Sequence, residues 1–306
     1  MNIVFMGTPD FAEESLYALV NAGYNVSAVF TKPDGLVGRK RILTPPEVKV
    51  AAQKLGLPVF QPTTLKDDEV YETLKQLNPD LIVVVAYGKL LPKRVLSLAP
   101  MGCINVHASL LPKYRGASPI QWSIVCGERE TGVSTMLLDE GMDTGDVLLS
   151  AKTEIGEDET AEQLWDRLKV MGGELLIETV KGLQEGTITP VKQDESLATY
   201  APIIKKTDGL IDWKNTAFEI NCKIRGLSAW PVAYTKIEDK MLKIFSAQIV
   251  EKSGECGKVL DGEKEFIVAC KDKALKILEL QLEGSKRMKT EDFLRGKKIT
   301  SEFLGE

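Results

Sequence analysis

Leu81-Ile82-Val83-Val84-Val85-Ala86 is the stretch on which the fold of this chain turns. A strand with one wet face alternates apolar and polar side chains, whereas an unbroken apolar run suits a strand buried on both faces. Such strands sit in parallel sheets covered by helices, and the flanking sequence supplies the helices. Upstream, residues 2–6 form a short apolar strand ending in Gly7-Thr8-Pro9-Asp10. There threonine serves as N-cap and proline takes the first helical position. That helix runs to about Ala22, Gly23 ends it, and residues 25–31 make a second strand. Helical patterns follow over 46–55 and 67–77, with a brief extended piece at Val59-Phe60 between them. Downstream come a short helix over 92–97, a strand over 103–107, a helix over 119–126 and strands over 132–138 and 147–153. A long amphipathic helix over 160–183 closes this half. Strands separated by helices predict an α/β fold, a Rossmann-like, doubly wound and mostly parallel sheet.

Near Gly186 the pattern breaks. Residues 1–186 read as one domain, and residues 187–205 lack periodicity and suit a linker on the surface. Residues 206–306 hold a helix near 216–225 and short strands over 232–237, 241–247, 257–260, 266–270 and 275–281. Turn signals at Glu238-Asp239 and Asp261-Gly262 separate them, which predicts a small OB-like β-barrel.

Composition narrows the function classes. The 306 residues exceed one ordinary core and suit two domains. Five cysteines without CxxC spacing read as reduced thiols, and with a single histidine they leave no conventional zinc site, so no metal is expected. The chain opens directly into Asn2-Ile3-Val4-Phe5-Met6 without a charged leader, and its apolar runs are far short of a membrane span. A cytoplasmic protein with no membrane partner is therefore expected, and a monomer, since no exposed apolar stripe stands out. Residues 1–205 carry 20 Lys+Arg against 27 Asp+Glu, and residues 206–306 carry 19 against 17. A mildly basic tail on an acidic body hints at a polyanionic partner.

The lone histidine, His107, stands two residues after Asn105, so a strand presents the two side chains on one face. An amide beside an imidazole can polarise a carbonyl and stabilise the oxyanion formed on it; the alternative is a core histidine satisfied by one hydrogen bond. After this strand comes Ser109-Leu110-Leu111-Pro112-Lys113-Tyr114-Arg115-Gly116, either an ordinary loop or a wall that grips a planar ring, with Arg115 available for charge. Asp139-Glu140-Gly141-Met142-Asp143-Thr144-Gly145-Asp146 is acid-rich but lacks the spacing and terminal glutamate of an EF-hand. A tight turn that presents one buried carboxylate beside the sheet end fits it better. Should Asp143 reach His107, amide, imidazole and carboxylate together have the parts for acyl transfer. Gly7-Thr8-Pro9-Asp10-Phe11 lacks the G-x-G-x-x-G that would seat a dinucleotide, which disfavours a dehydrogenase on this layout.

These residues resemble the folate-dependent formyltransferases. Asn105-x-His107, the Ser109-Leu110-Leu111-Pro112-x-Tyr114-Arg115-Gly116 run and Asp143 carry the likeness. Gly7-Thr8-Pro9-Asp10-Phe11, Val84-Val85-Ala86-Tyr87-Gly88, Thr199-Tyr200-Ala201 and Ile211-Asp212-Trp213 extend it over essentially the whole chain, toward the branch that acts on initiator methionyl-tRNA. The resemblance implies a formyl transfer from 10-formyltetrahydrofolate to the α-amine of the tRNA-borne methionine, with Asn105, His107 and Asp143 as the catalytic residues. It places the pterin against Ala86, Tyr87, Gly88, Ser109, Leu110, Leu111, Pro112, Asp139 and Gly141, read largely by main chain. The basic loop after the second strand, with Lys32, Arg39, Lys40 and Arg41 facing only Asp34, becomes a tRNA contact kept mobile by Gly35 and Gly38. One departure is visible: Ala229 precedes Trp230-Pro231 where the family usually has Pro-Trp-Pro, a change confined to a turn. The rivals are a formyltransferase acting on a sugar nucleotide and an RNA-binding protein whose Asn–His pair is structural.

Overall fold

The computed structural model describes residues 1–38 and 40–305. Seven strands form the main sheet: β1 Asn2–Gly7, β2 Asn25–Phe30, β3 Val59–Phe60, β4 Leu81–Val85, β5 Cys103–His107, β6 Glu130–Leu137 and β7 Val147–Glu154. Their order is β7-β6-β5-β4-β1-β2-β3. The pairs β1–β2, β2–β3, β1–β4 and β4–β5 are parallel. Every residue of β4 is buried, as its unbroken apolar run requires. From β1 the chain winds outward to β2 and β3, then returns to β4 on the other side of β1. The strand order therefore reverses between β1 and β4, where an open α/β sheet offers a crevice to ligands.

Beyond β5 the sheet departs from the parallel rule. β6 runs antiparallel to β5, with Ile104 opposite Leu137 and His107 opposite Ser134. The chain thus leaves β6 at the level of Ile104, about 10 Å of strand below His107. The acid-rich turn does not hang from a carboxyl end beside His107, as a uniformly parallel reading suggests; it reaches back to that residue.

Two local differences bear on the site. The first helix, Asp10–Asn21, is preceded by Pro9 and has no side-chain cap. Thr8, expected as that cap, instead donates from Oγ1 to the Tyr87 carbonyl at 3.1 Å and so joins the loops that follow β1 and β4. The basic loop after β2 is also more ordered than its glycines suggest. Gly35–Val37 and Ile42–Thr44 pair as a short antiparallel ribbon, with Gly38 in the left-handed region at its turn.

The chain packs as two units. One comprises Met1–Gly116, Thr131–Glu154 and Trp165–Tyr200; the other comprises Ala117–Glu130, Ile155–Leu164 and the residues from Ala201 onward. Residues 117–130 join the second unit because its helix Pro119–Val125 packs on the helix Ala217–Gly226. Gly226 lies so close that a Cβ there would stand 2.6 Å from a Val125 methyl. Residues 155–164 join it through Arg225, which donates to the Glu159 carbonyl at 2.8 Å. Periodicity does not register such packing.

The second unit holds β8 Ala233–Ile237, β9 Lys240–Val250, β10 Val259–Asp261, β11 Ile267–Ala269, β12 Ala274–Leu282 and β13 Met288–Lys289. They form a curled antiparallel sheet of OB-like kind, ordered β8-β9-β12-β11-β10 with β13 on β12. It is a half-barrel rather than a closed barrel, since β8 and β10 do not pair with each other among the described residues. A capping box of Thr216 and Glu219 starts the Ala217–Gly226 helix, whose Ile220 and Ile224 pack with Leu242, Ile244, Phe266 and Ile277. Ala229 is exposed in the turn after this helix. The helix Thr290–Gly296 was not anticipated from periodicity.

Candidate active site

β5 sets Asn105 and His107 on the same face, with relative exposures of 9% and 6%. Among the described residues no group hydrogen-bonds the Asn105 side-chain amide. The amide of this nearly buried residue is therefore open to a ligand on the face it shares with His107. The His107 ring is fixed at one nitrogen: Nε2 donates to the Tyr114 carbonyl at 2.9 Å. Since a carbonyl only accepts, the neutral ring carries its proton on Nε2 and a lone pair on Nδ1. Nδ1 lies 3.7 Å from Oδ2 of Asp143, too long for a hydrogen bond yet within ion-pair range. The ring can therefore donate from Nδ1 only as an imidazolium, whose charge would stand within ion-pair range of that carboxylate.

The segment 114–116 holds both members of this pair. Tyr114, left-handed at φ 58°, turns its carbonyl to His107. Two residues on, the Gly116 N–H donates to Asp143 Oδ2 at 2.8 Å. Asp143 is itself left-handed at φ 54°, in a turn braced by Asp139, whose carboxylate accepts from Gly141 N at 2.9 Å and Thr144 Oγ1 at 2.8 Å. Gly145 fits only because it lacks a Cβ, which would overlap the Leu137 carbonyl.

Sequence reading left Arg115 free for charge. The structure buries it completely, with Nε and Nη2 on Gln193 Oε1 at 3.1 and 2.8 Å and a second edge on Glu195 at 2.8 and 2.9 Å. The guanidinium holds the Glu195 carboxyl below the usual range, while the bond to Glu195 raises Arg115 further. Gln193 and Glu195 come from the predicted linker, where nothing in periodicity or composition singled them out. The other missed group is Ser134, opposite His107 in the register. Its Oγ donates to the Ser109 carbonyl at 2.8 Å, accepts from Leu111 N at 3.2 Å and meets Ser150 Oγ at 3.0 Å. These bonds anchor the start of the Ser109–Pro112 run, and Ser109 adds one from Oγ to the Lys113 carbonyl at 2.6 Å.

The remaining expected positions divide. Ala86 and Gly88 are exposed, both at positive φ, and present main chain after β4. The Tyr87 ring instead packs into the core, its hydroxyl unpartnered and pushed up to about 12 by burial, so only its main chain faces the loop. Leu110, Leu111 and Pro112 are half-buried, and Asp139 and Gly141 are exposed. Lys32 brings its amine against Gly88, whereas Lys40 and Arg41 lie exposed at the turn of the ribbon. Arg39 lies outside the described residues. The described cations of the basic loop are therefore not one cluster: Lys32 belongs with the β4 loop.

Comparison with known proteins matches residues 1–180 to the formyl transferase family and residues 203–298 to the formyl transferase C-terminal domain. A methionyl-tRNA formyltransferase of Citrifermentans bemidjiense is 50% identical over 98% of this chain and 94% of its own length. One from Caldanaerobacter subterraneus is 51% identical over 98% of each. Among solved structures, an N-formyltransferase from Helicobacter canadensis, in complex with folinic acid and dTDP-3-aminofucose, superimposes with a TM-score of 0.69 at 21% identity, covering 90% of this chain and 98% of its own. That likeness is one of fold. Among the described residues no helix is long and apolar enough to cross a membrane.

Proposed function

Because the chain belongs to the formyl transferase family, we propose that it moves a formyl group from 10-formyltetrahydrofolate to the α-amine of initiator methionyl-tRNA, for translation initiation. Relatives of that name at about half identity over nearly the full length support the acceptor. The observation that carries the chemistry is the unpartnered Asn105 amide beside the one free ring nitrogen of His107. In this reading the catalytic domain spans 1–186, the linker 187–205 and a tRNA-binding domain 206–306, and the enzyme works in the cytoplasm as a monomer.

The folate supplies an activated formyl carbon. The residues present fit it: exposed main chain at Ala86 and Gly88, an anchored Ser109–Pro112 run and a braced 139–146 turn offer donors and acceptors to a pterin edge. As the amine attacks, negative charge grows on the formyl oxygen. Asn105 donates from its amide and a protonated His107 donates from Nδ1, both from sites shielded from water, where such bonds act most strongly. Tyr114 holds the ring in the tautomer and plane that free Nδ1 for this task. Asp143 compensates the imidazolium charge and can take the proton the amine gives up. As the bond between the formyl carbon and the folate nitrogen breaks, that nitrogen takes up a proton and tetrahydrofolate leaves. No covalent enzyme intermediate is required. Lys40, Arg41 and Arg39 would meet tRNA phosphates, with Lys32 nearer the folate loop.

The test is direct. The protein is incubated with radiolabelled 10-formyltetrahydrofolate and either methionyl-tRNA or an amino-sugar nucleotide. Label on the tRNA amine is expected; label on the sugar alone would overturn the reading.

A further inference from the structure

We propose that Gln193 and Arg115 are positioning residues for the His107–Asp143 pair, and that residues 193–199 form part of the catalytic frame rather than a passive tether. The inference rests on the formyl-transfer reading above. Every polar valence of the Gln193 amide is engaged. Nε2 donates to the carbonyls of Asp143 at 2.9 Å and Gly145 at 2.7 Å, while Oε1 accepts two bonds from Arg115. Thr199 completes the grip: its carbonyl accepts from Arg115 N at 2.9 Å, and its Oγ1 accepts from Tyr114 N at 2.9 Å. Thus segment 114–116 holds His107 through the Tyr114 carbonyl and Asp143 through the Gly116 N–H. Residues 193–199 in turn hold both that segment and the main chain of Asp143.

The charges are arranged with equal economy. A guanidinium bonded directly to Asp143 would neutralise the carboxylate that an imidazolium needs. Here Arg115 is satisfied by Glu195 on one edge, and a neutral amide stands between its other edge and the 143–145 turn. Gln193 transmits geometry without consuming the charge of Asp143. A glutamate at 193 would still accept from Arg115 but could not donate to the two carbonyls.

The experiment compares wild type with Gln193→Glu, Gln193→Ala and Arg115→Lys in steady-state formylation, thermal unfolding and nitrogen-15 NMR. The chain has one histidine, so its two ring nitrogens need no assignment against others. A wild type that does not formylate methionyl-tRNA sinks the functional reading, whereas the positioning claim is judged on the ring and on the variants. In wild type the neutral ring is expected to be protonated at Nε2; an Nδ1–H tautomer overturns the proposal even if no variant folds. In Gln193→Glu, kcat is expected to fall roughly tenfold to a hundredfold with KM for both substrates within about twofold, and a second ring tautomer should appear. Gln193→Ala should match it, and Arg115→Lys should not rescue, because an ammonium cannot hold both partners in a fork. Unchanged kcat in Gln193→Glu, a rise in KM alone, or a loss that tracks only the unfolded fraction overturns the proposal.

Discussion

Two loops of the same sheet are built to opposite rules. The 139–146 turn after β6 is tied down by hydrogen bonds: Asp139 braces the turn, Asp143 faces His107 and Gly116, and Gln193 pins two of its carbonyls. The ribbon after β2 faces outward at the positions described, with Leu36, Ile42 and Leu43 each more than half exposed and Lys40 and Arg41 in solvent. The difference separates two tasks. Charge stabilisation needs groups preorganised to within fractions of an ångström, which dense hydrogen bonding supplies. A large polyanion needs reach and adaptable cations, which an exposed ribbon supplies.

The sharpest way to break this comparison is to remove the donors that face the turn. His107→Ala or Asn105→Ala should lower kcat about a hundredfold or more, near 3 kcal/mol of barrier for each donor lost. The melting temperature should hardly move for Asn105→Ala, since its amide has no partner to lose. Near wild-type turnover in either variant would show that the face of β5 is structural. Crowding the turn should cost less. Gly145→Ala introduces a methyl that overlaps the Leu137 carbonyl, so the 143–146 backbone must shift and carry Asp143 with it. A kcat lower by roughly tenfold to a hundredfold is expected for a displacement of about 1 Å, with tRNA affinity retained. Equal losses in kcat and in tRNA binding would mean that the turn and the ribbon are not separable.

How much of this was legible beforehand depends on the range of the interactions. The unbroken run at 81–85, the i, i+2 spacing of Asn105 and His107 and the helical pattern near 216–225 are local, and each predicted what the structure shows. The ribbon partners are close in sequence, yet three-residue strands give no period to detect. The antiparallel entry of β6 is set by pairing across the sheet and leaves no mark in its own residues. Arg115 shows the limit best. A lone arginine in a loop reads as exposed, and only partners 78 and 80 residues away bury it. Tyr87 errs in the same way, since a neighbouring main chain at the crevice says nothing about where the ring packs.

On the ribbon side the expected effect is smaller and different in kind. Replacing Lys40 and Arg41 by alanine should leave kcat at saturating tRNA intact and raise KM for tRNA. A plot of log kcat/KM against log salt should become shallower by roughly 0.7–0.9 for each phosphate contact removed. Folate KM should be unaffected, because among the described cations of the basic loop it is Lys32, not Lys40 or Arg41, that lies against the β4 loop. An unchanged salt slope would reduce the ribbon to a solvated hairpin.

The smallest effect concerns the bond that anchors the frame from outside. Arg115 holds the Glu195 carboxyl below its usual range, so the folded state binds that proton more weakly than the unfolded chain does. Its contribution to stability is present above the ordinary carboxylate pKa of about 4.3 and is lost as pH falls through the depressed folded value. Glu195 is 65% exposed, so water screens the pair and the gain is small. Thermal unfolding of wild type and Glu195→Gln from neutral pH into the acid range should therefore show a slight wild-type advantage that closes on acidification. No gap at neutral pH would mean that Arg115 is held by Gln193 alone and that Glu195 is a bystander. A gap that persists into acid would mean that the charge of Glu195 is not its source. In either case the buried guanidinium keeps its neutral partner on the turn side, so Arg115 reaches the 143–145 turn through Gln193 and the Asp143 carboxylate is turned to His107 and Gly116.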